Sequence, residues 1–290
     1  KRHYEKDLSE FEDIPGSPIS YWVPENLRNI YDSDIVFDAN NARVEKDSLG
    51  VVKQGLATGK DPRFIRNFWE TDDTRWIPIA KGGEDAWTIP RVKEVVWWAD
   101  DGAEIKQYDG SRPQNTQHYF QEAITYNRVK ESGRRFGYLN SNSIFGDKGP
   151  TLIPERDIGL WNTLSYANSS LVTYLMLAQT PERMWEVGEV SKLPWDEDIA
   201  EMEELEPLAR DAAANLLAVR SSQFTSPYYA GPLLLRLLGR SEELHLYDHP
   251  HRDLLESISP TEPDQELTTS ASIEEVSSVA SDYMETVESN

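Results

Sequence analysis

Between residues 45 and 160 no apolar run outlasts a short strand before a turn residue interrupts it, and this limits the stretch to brief sheet-forming segments. The runs are Gly50-Val51-Val52, Trp76-Ile77-Pro78-Ile79, residues 92–98, Ile124-Thr125-Tyr126, Phe136-Gly137-Tyr138 and Ser143-Ile144-Phe145. Between them stand Lys81-Gly82-Gly83, Asp101-Gly102, Asp109-Gly110, Ser132-Gly133 and Lys148-Gly149-Pro150, which supply the backbone freedom that turns need. The expectation is a β-rich, irregular module. From residue 159 to 177 the period changes, with Leu160, Leu164, Ala167, Leu171, Tyr174 and Leu175 at three- and four-residue steps, which predicts one helix with a buried face. A second helix is predicted over 196–220, acidic at its start and ending on Arg220, with Pro207 breaking or kinking it. A short Leu-rich helix follows over 231–239.

All nine Trp residues lie at or before Trp195, which marks a composition boundary. After about residue 255 the chain is Ser, Thr, Glu and Pro with few large apolar side chains, so burial cannot offset its ordering entropy. The chain therefore reads as α+β, with a module at 45–195, a helical region at 196–255 and a disordered acidic tail at 256–290.

The formal charge is -22. At first sight this opposes a phosphate-binding role, which needs Lys and Arg. The charge is unevenly spread, however: residues 41–140 carry 16 basic and 15 acidic residues, whereas residues 196–290 carry 5 and 21. A basic face in the middle of the chain is compatible with that count. Acidic residues throughout, with five lysines after Lys81, also fit a proteome adapted to high salt, where a hydrated anionic surface keeps proteins soluble. The absence of cysteine excludes disulfides, thiolate zinc sites and a cysteine nucleophile. No stretch approaches the roughly 18 apolar residues of a membrane span, and a cytoplasmic protein without a membrane partner is expected.

Several motifs suggest chemistry without satisfying it. Gly55-Leu56-Ala57-Thr58-Gly59-Lys60-Asp61 resembles a phosphate-binding loop, but it has three residues between its glycines and Asp61 after the lysine where a hydroxyl should hold magnesium. Asp100-Asp101-Gly102-Ala103-Glu104-Ile105-Lys106 holds the residue types of a nuclease metal site, which needs converging carboxylates. His245, His249 and His251 have a zinc-compatible spacing in a loop that runs into the tail. No Asn/Asp-Pro-Pro-Tyr/Phe tetrapeptide, the clamp for a flipped adenine, occurs in the sequence.

The most suggestive inventory interleaves cations, amides and aromatics: Lys53, Gln54, Thr58, Lys60, Arg63, Arg66 and Lys81, then Arg112, Gln114 and Asn115, then Arg134 and Arg135. Arg and Lys suit guanine and phosphate, and Asn and Gln suit adenine, so these are candidates for contacting DNA.

The same stretches resemble PglX-like adenine-specific DNA methyltransferases of BREX phage-exclusion systems. Asp13-Ile14-Pro15-Gly16-Ser17-Pro18-Ile19-Ser20-Tyr21-Trp22-Val23 is similar to the connector after the methyltransferase domain. Lys53-Gln54-Gly55-Leu56-Ala57-Thr58-Gly59 with Arg63-Phe64-Ile65-Arg66 resembles the opening of the recognition domain. Trp76-Ile77-Pro78, Lys81-Gly82-Gly83, Val96-Trp97-Trp98 and Asp101-Gly102-Ala103-Glu104-Ile105-Lys106 continue it. Arg112-Pro113-Gln114-Asn115 with Tyr119-Phe120-Gln121-Glu122-Ala123-Ile124-Thr125-Tyr126 is the most specific block. Gln179-Thr180 with Val187-Gly188-Glu189-Val190-Ser191-Lys192-Leu193-Pro194, and Ser221-Ser222-Gln223-Phe224 with Gly231-Pro232-Leu233, complete the series in the family's order.

The resemblance implies a target recognition domain at 45–195, preceded by a connector at 1–44 and followed by helical spacers. Such a domain reads a short DNA site in duplex DNA while a methyltransferase domain, absent from this stretch, flips the adenine and holds S-adenosylmethionine. No cofactor is expected in this chain; its expected partners are double-stranded DNA, the methyltransferase domain or subunit, and other phage-defence proteins. Lys53, Lys60, Arg63, Arg66 and Lys81 are assigned to phosphate positioning or groove entry, and Arg112, Gln114 and Asn115 to base contact. Two rivals remain: an acidic protein-binding or DNA-mimic module, and a magnesium-dependent nuclease.

Overall fold

The computed structural model describes residues 7, 11–83, 88–130, 135–155, 159–180, 184–200, 202–221, 223 and 225–229. The expected helix at 231–239, the three-histidine loop, the acidic tail and Arg134 lie outside the described residues. No helix among those described is long and apolar enough to cross a membrane. The chain divides into two compact units, one of residues 1–90 with 94–206 and one of residues 91–93 with 207–290.

The fold is α+β. In the first unit the strands are β1 (Ile35–Val36), β2 (Asp47–Ser48), β3 (Gly50–Lys53), β4 (Ile65–Asn67), β5 (Trp76–Ala80), β6 (Glu94–Trp97), β7 (Ala123–Tyr126), β8 (Phe136–Leu139), β9 (Ile144–Phe145) and β10 (Thr151–Pro154). They form two four-stranded sheets, β3-β10-β7-β8 and β4-β6-β5-β9, and a two-stranded pair, β1-β2. The first sheet is antiparallel throughout, with β3 beside β10 in the register Thr151 to Lys53. All four residues of β7 and of β8 are buried, as expected of strands covered on both faces. In the second sheet Pro78 is tolerated because β9 pairs only with Ile79 and Ala80, leaving the proline's flank free of a ladder partner.

The α-helices of this unit among the described residues are α1 (Glu25–Arg28), α2 (Ala39–Ala42), α3 (Asp61–Phe64), α4 (Ala99–Gln107), α5 (Leu160–Ala167), α6 (Ser170–Gln179), α7 (Val187–Ser191) and α8 (Glu197–Ala200). The single helix expected over 159–177 is two. Asn168 turns its amide to the backbone of Phe136, accepting from its N–H at 3.2 Å and donating to its carbonyl at 2.8 Å, and Ser169 then caps α6 through the Val172 N–H. Asp101-Gly102, read as a turn, does turn the chain: Asp100, Asp101 and Gly102 all have positive φ within α4. Strands β1, β2, β4 and β10 lie outside the apolar runs of the sequence; the Thr151-Leu152-Ile153-Pro154 stretch of β10 directly follows a Gly-Pro breaker.

Residues 13–44 are part of this unit's core. Ile14 and Phe37 are fully buried, Tyr31 donates to the Leu175 carbonyl at 2.6 Å, and Ser20 donates to that of Ala178 at 2.6 Å. Asp38, also fully buried, caps α2 and ties it to β3. Helix α9 (Leu205–Ser221) runs from the first unit into the second. The single helix expected over 196–220 is two, α8 and α9, interrupted ahead of Pro207; the proline itself lies in the first turn of α9, where no intrahelical N–H donation is lost. In the second unit Ala213 and Leu217 are buried, and Arg91 donates to Gln223 at 2.8 Å.

Candidate nucleic-acid interface

Strand β3 ends at Lys53, and the seven residues that follow are clamped from both sides. On one flank the Leu56 N–H donates to the Phe145 carbonyl at 2.9 Å, and the Asp147 N–H to the Leu56 carbonyl at 3.1 Å. On the other, Ala57 and Arg112 exchange backbone hydrogen bonds at 3.1 and 2.8 Å. Leu56 anchors the loop in the core. Both glycines are required by geometry: a Cβ on Gly55 would collide with the Phe145 carbonyl, and Gly59, at φ +68°, sits against the Gly110 carbonyl. Amides close the remaining gaps. Asn115 donates to the Gln54 carbonyl at 2.8 Å, Gln114 to that of Gly55 at 3.4 Å, and Gln54 to that of Asp147 at 3.2 Å.

This frame borders a cleft of about 510 Å³ lined by residues 56–62, Lys81, Asp147 and Lys148. Thr58 donates its hydroxyl to one oxygen of Asp61, and Lys81 donates to the other at 2.6 Å. Lys81 also stands 3.5 Å from Glu94. Burial alone would raise the Asp61 pKa, but the hydrogen bonds from Lys81 and Thr58, with the charges of Lys81 and Lys148, together outweigh it and hold the carboxyl below its ordinary value. Burial likewise pulls Lys81 down, and the bond to Asp61 with the field of Glu94 more than restores it. Both groups are therefore charged at neutral pH. The exposed side chains of Lys60, Arg112 and Lys148 make no hydrogen bond or ion pair with the described residues.

The candidates read from the sequence thus separate into groups. Gln54, Thr58, Lys60, Lys81, Arg112, Gln114 and Asn115 surround one loop. Lys53 lies at its root, 3.4 Å from Asp38. Arg63 pairs with Glu104 at 2.6 Å and lies over Phe64 and Tyr108, and Arg66 bonds the Pro62 and Ile65 carbonyls beside Trp76. Arg135 is buried: its guanidinium bonds the carbonyls of Asn127 and Lys130 over the ring of Trp185 at 4.1 Å, and burial pushes it down to about 10. The amide nitrogens of Gln114 and Asn115 are engaged by backbone, so two-point contact with adenine requires releasing those bonds. Asp61, Asp147 and Lys148 were not singled out, because Lys148-Gly149-Pro150 reads only as a turn and lies some ninety residues from the loop it joins. In the acidic turn of α4, Glu104 is committed to Arg63 and Asp101 to Lys106 at 2.6 Å, so these carboxylates sit in separate ion pairs. Among the described residues no group of three acidic or histidine side chains is placed to hold a metal.

No protein-family model matches the chain. It is 27% identical over 217 residues to the adenine-specific methyltransferase BrxX of Escherichia coli O9:H4 (strain HS), a match covering 70% of this chain and 17% of that protein. It is 24% identical over 213 residues to the adenine-specific methyltransferase PglX of Lacticaseibacillus casei (strain Zhang), covering 66% and 17%. The chain spans about a sixth of the length of these relatives, and it is related to that part of adenine-specific methyltransferases of the BrxX and PglX kind.

Proposed function

We propose that this chain reads a short sequence in double-stranded DNA for an adenine-specific (N6) methyltransferase of a BREX-type phage-defence system, and that the cleft beside residues 56–62 faces the duplex. One observation carries the reading: segments around residues 56–61, 112–115 and 145–148 converge on a rigid loop and leave Lys60, Arg112 and Lys148 without ion-pair partners among the described residues. A rigid glycine-bearing loop flanked by exposed cations can approach a phosphate backbone closely while Arg112, and Gln114 and Asn115 on release of their backbone bonds, meet base edges. In this reading residues 45–195 are the recognition domain and residues 196–255 the spacer. Methyl transfer, with its S-adenosylmethionine, belongs to the part of the enzyme outside this chain, since no Asn/Asp-Pro-Pro-Tyr/Phe clamp occurs in the 290 residues.

The test is titration of labelled duplex with the chain and with a Lys60→Ala, Lys148→Ala variant over a salt series. Two phosphate contacts contribute a slope of about -1.8 in log K against log salt, at about -0.9 each, and the variant should lose that part. Absence of duplex binding at every salt concentration, or an unchanged slope in the folded variant, refutes the reading.

A second reading has its own support. A cleft of about 650 Å³ in the first unit is bordered by Asp34, Asp47, Asp196, Glu197 and Asp198, which suits a basic protein partner such as another defence subunit. Binding of such a subunit, with no duplex binding, would favour it.

A further inference from the structure

The carboxylate of Asp61 stands among cations in a cleft that, on the reading above, faces phosphates. Thr58 and Lys81 occupy part of its accepting capacity, and the exposed remainder opposes the phosphate backbone unless it meets a further donor. Its two oxygens hold four acceptor positions, of which Thr58 and Lys81 each take one, and its side chain is 50% exposed. The donors available in a major groove are the exocyclic amino groups of cytosine and adenine. Adenine sets its N7 acceptor beside its amino group, which a carboxylate opposes, whereas cytosine offers its N4 donor without an adjacent acceptor. Across the same base pair guanine presents O6 and N7 as acceptors, which suit an ammonium. Asp61 with Lys81 at 2.6 Å sets an acceptor beside a cation, matching the donor-then-acceptor order of a C·G edge.

We infer that Asp61 is a specificity-determining residue that accepts a hydrogen bond from the N4 amino group of one cytosine in the target duplex. Thr58 and Lys81 fix the orientation of its carboxylate. The inference rests on the proposal that the cleft reads duplex DNA, and it adds a base identity to it.

The experiment selects bound duplexes from a randomised pool at one fixed salt concentration, using the chain and its Asp61→Asn and Asp61→Ala variants. Asn retains a group that can bond both Thr58 and Lys81, and thermal melts report whether each variant is folded. The wild type should fix a C·G pair at one position with about tenfold or greater discrimination. Asp61→Asn should move that position toward adenine, which an amide meets at both N6 and N7, and Asp61→Ala should leave it without preference, all other positions being unchanged. If the wild type selects a sequence and Asp61→Asn keeps the same cytosine, or weakens every position alike, the role of Asp61 is wrong while DNA reading stands. If the wild type selects no sequence, the DNA reading itself fails, and this inference with it.

Discussion

Replacing Asp38 should unfasten the root of the loop. Its carboxylate is fully buried and accepts from the backbone N–H of Asn41 at 3.1 Å, the Asn41 amide at 2.7 Å and the backbone N–H of Val52 at 2.8 Å, with Lys53 at 3.4 Å. Asp38→Ala removes the cap of α2, worth about 1 kcal/mol. It also leaves the N–H of Val52, a residue with no exposed surface, without its side-chain acceptor, which costs a further 1–3 kcal/mol on the order of magnitude typical of an orphaned buried donor. The Asn41 amide is spared, because it also donates to the Val52 carbonyl at 2.6 Å. The expected loss is therefore about 2–4 kcal/mol. Asp38→Asn keeps one accepting oxygen for two backbone donors and should cost about half as much. Urea unfolding followed by tryptophan fluorescence reads the change; with a slope of about 2 kcal/mol per molar, the midpoint should fall by about 1–2 M for alanine. A loss below about 1 kcal/mol for alanine, or equal losses for the two variants, would refute this hydrogen-bond accounting.

Two further outcomes are expected. Gly59→Ala forces a Cβ into a left-handed residue and against the Gly110 carbonyl; a cost of about 2 kcal/mol should lower the melting temperature by about 4–8 °C, and an unchanged melt would show that the loop yields freely. The chain should also gain stability from dilute buffer to molar KCl if its -22 charge reflects adaptation to salt, because screening relieves repulsion among like charges, and equal stability in both would end that expectation.

How much could be read beforehand follows from which interactions are local. Short strands between glycine breakers were legible because the breakers act on their own backbone, and all six apolar runs coincide with or overlap strands. The division of the long helix was not, because it depends on Asn168 finding Phe136, a partner 32 residues away. For the same reason the loop's own residues Gln54, Thr58 and Lys60 were legible from composition, while Lys148 was not. Arg135 illustrates the opposite limit: in sequence it is one more arginine beside aromatics, and only the packing of Trp185 and the carbonyls of the segment 127–130 reveals that its charge is spent internally. Residue type indicates what a side chain can bond, and the tertiary pairing decides whether it is already bonded.

That distinction also bears on how a chain of charge -22 could face DNA. Exposed charges further apart than about 8 Å are largely screened at physiological ionic strength, so the field at the cleft depends on its immediate lining rather than on the total. There Lys60, Lys81 and Lys148 stand against Asp61 and Asp147; Asp61 is paired with Lys81 and also lies in the field of Lys148, while Lys60 and Lys148 form no ion pair with the described residues. Those two lysines lose their phosphate advantage as salt rises, by about eightfold per contact for each tenfold increase. Hydrogen bonds to base edges release no counterions and do not decline in that way. In a salty medium the burden of binding therefore shifts from the lysines to the base-reading groups, and a rigid loop, clamped by backbone bonds on both flanks, is the arrangement in which such short, direction-dependent contacts can be made at the least entropic cost.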